Sequence, residues 1–213
     1  KKAFRYCEAL TSINLNNVVF LGEGVFSNCT NLVRVTNLTH GNITTLPKML
    51  FYNCSSLKYI DIPGNVRSIG DYAFENCRSL KEVDLDTCTA DINATMFKTC
   101  DSLETFYVSY KNKRYSGGYG LIDKTTKTLV VGSTNGNLGD KIINSNDYPI
   151  ETIGDSAYYG RNITEVIVPL TLRSINRSAF ANTKLKNIYI PNTVQNIGRY
   201  AFYNTGITSV VLP

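Results

Sequence analysis

Apolar and polar positions along this chain repeat with a period of about 23 residues, the mark of a stacked-repeat architecture. Aligning on one aromatic position picks out Phe4, Phe26, Phe51, Phe74, Phe97, Tyr158, Phe180 and Phe202, at spacings of 22, 25, 23, 23, 61, 22 and 22. Residues 65–86, NVRSIGDYAFENCRSLKEVDLD, show the full unit, and residues 171–191 and 193–213 follow it closely. After each aromatic comes an alternating run. In residues 57–63, LKYIDIP, Ile60 and Ile62 are two apart and share one face of a strand. Ile13/Leu15, Val83/Leu85, Phe106/Val108, Val166/Val168, Ile188/Ile190 and Val210/Leu212 hold the same places.

One such strand cannot bury its apolar face alone, whereas parallel copies stacked at ~4.8 Å cover each other's inner residues. The first half of the unit, such as IGDYAFENC, is too short for an independent helix. It predicts a short strand or turn and one helical turn, with the aromatic pointing inward. Pro63, Pro169, Pro191 and Pro213 end the strands, where a missing N–H does no harm to a ladder. Gly22, Gly70, Gly154 and Gly198 recur four residues before the aromatic, which implies either positive φ or a close backbone approach. Asn176 stands there once.

The expected fold is thus a solenoid of about eight coils. A parallel β-sheet forms one face, with short strands and helical turns on the other. Residues 1–108 hold five coils, the first truncated, and residues 149–213 hold three. Between them, residues 109–148 form an insertion, all within one continuous solenoid domain. Residues 119–132, YGLIDKTTKTLVVG, read as a β-hairpin attached to the rim, and 132–140 as loop.

Composition changes this picture little. The chain has 213 residues, 43% hydrophobic and 18% charged, with no apolar run of the ~18 residues that a membrane helix needs. No h-region of a signal peptide opens the chain, so any export signal is expected upstream. A net charge of +5 raises the question of nucleic acid. Six basic against three acidic residues between Ser109 and Tyr148 account for +3 of it, which reads as a solvated loop region and not a nucleic-acid surface.

Five of six cysteines (Cys7, Cys29, Cys54, Cys77, Cys100) lie three residues after the aromatic. Bridges between neighbouring coils are geometrically conceivable. However, Thr183 and Thr205 take the same place later in the chain, and a threonine cannot form a bridge. The favoured reading is a buried column of reduced thiols, free cysteine behaving as a small hydrophobe. Cys88 is off register. Zinc ligation wants closely spaced pairs and more histidine than the lone His40, read as a loop residue. Asp84, Asp86 and Asp91 do not follow the order of an EF-hand loop. Neither a nucleotide-binding glycine fingerprint nor a partnered nucleophile is present, so no catalytic residue, metal or cofactor is expected. Seven Asn-x-Ser/Thr sequons occur, and those at Asn28 and Asn53 belong to the repeat itself, which gives them a packing or turn reason.

The segments AFENCRSLKEVDL and LFYNCSSLKYIDIP, with the hairpin element Tyr115-Ser116 to Tyr119-Gly120-Leu121-Ile122-Asp123-Lys124, resemble the BspA-like leucine-rich repeats over essentially the whole chain. Departures are Leu46-Pro47 for Ile-Gly, Tyr158 for phenylalanine, and the late threonines. The resemblance implies a surface-exposed or secreted protein, extracellular in location, that adheres to host matrix or to microbial surface proteins.

Solenoids recognise partners through their extended faces. The outward strand positions expected to do so are Tyr59, Asp61, Glu82, Asp84, Tyr107, Ile167, Tyr189 and Val211, acidic in the centre and aromatic or apolar toward the C-terminal side. The function expected is a non-enzymatic binding module for adhesion or protein recognition. The competing expectation is a structural spacer of a longer surface filament, with end-to-end self-association.

Overall fold

The computed structural model describes residues 1–38, 42–134 and 149–210. His40, Val211, Leu212 and most of the 132–140 loop lie outside the described residues. The chain is a β-solenoid of about seven turns with almost no helix. It divides into two compact units, Lys1–Lys113 and Arg114–Pro213.

In the first unit, the alternating runs pair in parallel. β1 (Ser12–Asn14) pairs with β2 (Arg34–Thr36), and β4 (Tyr59–Asp61) with β6 (Glu82–Asp86) and β7 (Thr105–Val108). The first halves of the repeat add a second, shorter ladder, β3 (Thr45–Leu46) on β5 (Ser68–Ile69). Between the two ladders run tight turns where helical turns were expected. Ala94–Phe97 forms a 3-10 helix, its N-terminus held by the Asn93 side chain, which accepts from the Thr95 N–H.

The core is a set of columns. Phe4, Phe26, Phe51, Phe74 and Phe97 stack face to face at 5.3–5.9 Å between centroids, and Phe106 meets Phe97 edge-on at 5.6 Å. Offset stacking of this kind adds roughly 0.5–1.5 kcal/mol per pair beyond burial. Phe4 has a neighbour on one side only and is half exposed. Cys7, Cys29, Cys54, Cys77 and Cys100 form a column of free thiols, buried except for Cys7, and Cys88 is buried off that column with its thiol toward the Val66 carbonyl. Each thiol of Cys29, Cys54, Cys77 and Cys100 donates to the aromatic's carbonyl one coil back, at 3.1–3.2 Å. Thr183 and Thr205 fill that place differently, donating to the aromatic of their own coil.

Most of the tight turns place two residues at positive φ, one on either side of the aromatic, such as Tyr72 (60°) and Asn76 (62°) about Phe74. The second is usually asparagine, the side chain that best tolerates this region. There the amides form a ladder, Asn53 Nδ2 donating to Asn28 Oδ1 at 2.9 Å and Asn204 Nδ2 to Asn182 Oδ1 at 2.8 Å. The recurrent glycine is not at positive φ. At Gly70 a Cβ would lie 2.3 Å from the Lys48 nitrogen of the preceding coil, so close approach is its reason.

In the second unit the emphasis reverses. Among the described residues the alternating runs keep one bridge, Glu165 to Asn187, and the Lys186 N–H bond to the Thr164 carbonyl at 2.9 Å. The continuous sheet comes instead from the first halves, β11 (Thr152–Ile153), β12 (Ser174–Ile175) and β13 (Asn196–Ile197). The hairpin explains this. Its strands β9 (Gly120–Asp123) and β10 (Thr128–Gly132) are antiparallel, β8 (Tyr115–Ser116) adds to β9, and β10 lies parallel to β11. β10 therefore stands in for the first half of a coil and extends that sheet, a closer integration than attachment to a rim. Gly132 takes the aromatic's place, and its missing side chain admits the Tyr158 ring, with a Cβ only 2.1 Å from Cε1. Tyr158 stacks on Phe180 at 5.1 Å, and Phe180 on Phe202 at 5.3 Å.

Candidate functional site

Alternation decides which side chains face outward. In the first unit Ile60, Val83 and Phe106 pair inward and are at most 1% exposed. Their neighbours point to solvent in two columns fixed by strand register: Tyr59–Glu82–Thr105 and Asp61–Asp84–Tyr107. Five of the expected face residues, Tyr59, Asp61, Glu82, Asp84 and Tyr107, are thereby brought together. Tyr59 and Tyr107 are 39% and 47% exposed, accessible but anchored.

A concavity of about 620 Å³ opens on this face, lined by Asp61, Asp84, Asp86 and Tyr107 with Pro63–Asn65 and Val108–Ser109. Register slips between Asp84 and Asp86, a bulge that puts Asp86 at φ 40° and lets its N–H donate to Asp84 Oδ1 at 2.9 Å. Sequence reasoning left Asp86 out because strict alternation does not anticipate a bulge. A second concavity of about 490 Å³ adjoins it, lined by residues 33–38 with Lys58, Tyr59 and Asp61. It carries Arg34 and Lys58 beside the acidic column.

The carboxylates are crowded enough to perturb their neighbours. Burial pushes the Tyr59 phenol up to about 12, and the charges of Asp61, Asp84 and Glu82 and a hydrogen bond to Asp84 act the same way. The Asp61 carboxyl is raised by burial and then by Asp84 and Asp86. This face thus gathers Asp61, Glu82, Asp84 and Asp86 beside two tyrosine rings. Such a surface can attract and seat a partner; among the described residues no His, Cys, Asp and Glu group is placed to hold a metal ion.

In the second unit Ile167 and Tyr189 come together. They are 55% and 70% exposed and line a concavity of about 400 Å³ with Glu165, Val166, Asn187, Ile188 and Ser209. Val211, the remaining expected residue, lies outside the described residues. Its neighbour Val210, expected to face inward, is 49% exposed.

The comparisons with known proteins agree with this architecture. Residues 1–118 and 151–213 match the BspA type leucine rich repeat region in six copies, and the chain belongs to that family. A search of curated proteins finds no match. Among solved structures it resembles a leucine-rich repeat protein from Bacteroides ovatus, at 23% identity and a TM-score of 0.57, covering 99% of this chain and 45% of that one. A leucine-rich repeat protein from Eubacterium ventriosum matches at 19% identity and a TM-score of 0.65, with 94% and 59% covered. A leucine rich cell surface protein from Faecalibacterium prausnitzii matches at 18% and 0.56, with 99% and 56% covered. The chain therefore spans about half the length of the structures it resembles, and the likeness is one of fold.

Proposed function

We propose that this chain is a non-enzymatic recognition module, displayed at a cell surface or secreted, that binds a macromolecular partner through the outward columns of its alternating runs. The observation that carries the reading is the in-register pairing of Asp61, Asp84 and Tyr107 beside Tyr59 and Glu82 on one open, concave face. Tyrosine offers a large rigid surface with a polar tip, which suits interfaces, and it loses little conformational freedom on binding. Ile167 and Tyr189 supply a second, more apolar contact surface in the other unit. The family and the cell-surface description of the Faecalibacterium protein support an extracellular setting, with host matrix or microbial surface proteins as partners.

The test is retention of purified matrix proteins and microbial surface extracts on the immobilised chain. Tyr107→Ser and Tyr189→Ser should each weaken a captured partner by more than about 1 kcal/mol if they are anchors. Unchanged capture by both folded variants would contradict the reading.

A further inference from the structure

On the reading that the outward columns of the first unit seat a partner, the residues at their centre define what that partner presents. Register sets Asp61, Asp84 and Tyr107 side by side on three neighbouring strands, at steps of about 4.8 Å. The bulge brings Asp86 into the same concavity of about 620 Å³. Glu82 stands beside Asp84 in the other outward column.

These carboxylates keep unused acceptor capacity. Among the described residues, none of the four takes part in an ion pair. Internal bonds occupy only part of what two oxygens can accept. Asp84 Oδ1 takes the Asp86 N–H at 2.9 Å, and Asp86 Oδ2 takes the Thr87 hydroxyl at 3.2 Å. Arg34 and Lys58 line the adjoining concavity, on the β2 side of Tyr59. The part of the face that calls for a cation therefore lies toward β7.

Two features choose among cations. The carboxylates are spread across strands, and among the described residues no acidic group is placed to hold a compact metal ion. Tyr107 adds a ring, 47% exposed, on the wall of the same concavity. An ammonium is a strongly hydrated point charge. A guanidinium is planar and weakly hydrated, its fork of donors can reach two carboxylates, and its flat face lies against an aromatic ring. The hairpin shows this combination within the protein itself. There the Arg114 guanidinium carbon sits 5.0 Å from the centre of the Tyr115 ring, and its Nε donates to Asp123 Oδ2 at 2.9 Å.

We propose that the concavity of Asp61, Asp84, Asp86 and Tyr107 docks an exposed arginine-bearing segment of a protein partner, one guanidinium lying against Tyr107 with its donors on the carboxylates.

The test is amide chemical-shift mapping by NMR on the whole chain, with acetylated and amidated Gly-Arg-Gly-Arg-Gly, its lysine counterpart, and its citrulline counterpart, which keeps the shape without the charge. The arginine peptide should shift residues 61, 84–86 and 107–109, bind at least about threefold tighter than the lysine peptide, and lose affinity with added salt. The citrulline peptide should not bind. Asp61→Asn combined with Asp84→Asn, which keeps the Oδ1 acceptor at the bulge, should weaken the arginine peptide about tenfold or more. Tyr107→Leu should erase the preference for arginine over lysine, and the spectrum of each variant reports whether it folds. Equal binding of arginine and citrulline, no preference over lysine, or shifts confined to other residues would overturn the proposal. So would the same shifts produced by calcium chloride or by raising the protein concentration, with none from the arginine peptide. If a captured partner still depends on Tyr107 while the arginine peptide maps elsewhere, the recognition face stands and the arginine proposal fails.

Discussion

The Cys77 thiol donates to the backbone carbonyl of Phe51 in the preceding coil, at 3.2 Å, while the Phe74 ring of its own coil stacks on that same Phe51 at 5.9 Å. A single repeat thus ties itself to its neighbour twice, once by a polar bond and once by a ring. Burial raises the Cys77 thiol well above its usual range and acts likewise on Cys54, with neighbouring thiols adding to the effect. Both thiols therefore stay protonated and poorly nucleophilic. The native protein should react quickly with a thiol reagent only at half-exposed Cys7, and slowly at the other five. Under denaturing, non-reducing conditions all six should titrate; a count of one or two would mean bridges in place of the column.

Phe74 is fully buried between Phe51 and Phe97, at 5.9 and 5.3 Å. Phe74→Ala should cost about 3–5 kcal/mol in a denaturant melt, the usual range for a buried aromatic. Because each coil contacts mainly its neighbours, hydrogen exchange should accelerate around residues 51 and 97 more than in distant coils. A loss below about 1 kcal/mol would contradict the ring column.

Tyr158 makes the opposite prediction. Its hydroxyl is buried with no hydrogen-bond partner among the described residues, and burial raises its pKa strongly. Every other member of that column is phenylalanine. Tyr158→Phe removes a buried unpaired hydroxyl and should stabilise the protein by about 1 kcal/mol. Destabilisation by a similar amount would reveal a partner for the hydroxyl.

The hairpin should loosen in acid. Burial alone would raise the Asp123 carboxyl, but bonds from the Thr125 hydroxyl, Arg114 and the Thr125 and Thr126 N–H groups hold it below the ordinary value. Arg114 Nε donates to it at 2.9 Å. A depressed folded pKa contributes stability that is fully present above the unfolded value of about 3.9 and is lost as pH falls through the folded one. Amides of residues 120–132 should therefore lose protection below about pH 4, and Asp123→Asn should flatten that dependence. An equally steep acid transition in the variant would assign it to other carboxylates.

How much of this could be read in the sequence differs between levels. The period, the aromatic column and the outward columns follow from alternation and spacing, because a side chain's face is fixed by parity along a strand. The glycine was ambiguous between positive φ and close approach, and only neighbouring backbone, such as Lys48 beside Gly70, separates the two. Asp86 joined the acidic concavity through a bulge, which parity cannot foresee. The hairpin's strands were legible, but not that Gly132 would stand where a core ring belongs, since that depends on the Tyr158 ring in the next coil.

The central claim is that recognition lies on the outward columns, and the most direct measurement is hydrogen–deuterium exchange of the chain with and without a captured partner. The account predicts protection concentrated on residues 59–61, 82–86 and 105–109, or on 165–167 and 187–189, with loss of that protection in Tyr107→Ser or Tyr189→Ser. Protection confined to the tight turns on the other side of the coils, with these segments unchanged, would contradict it.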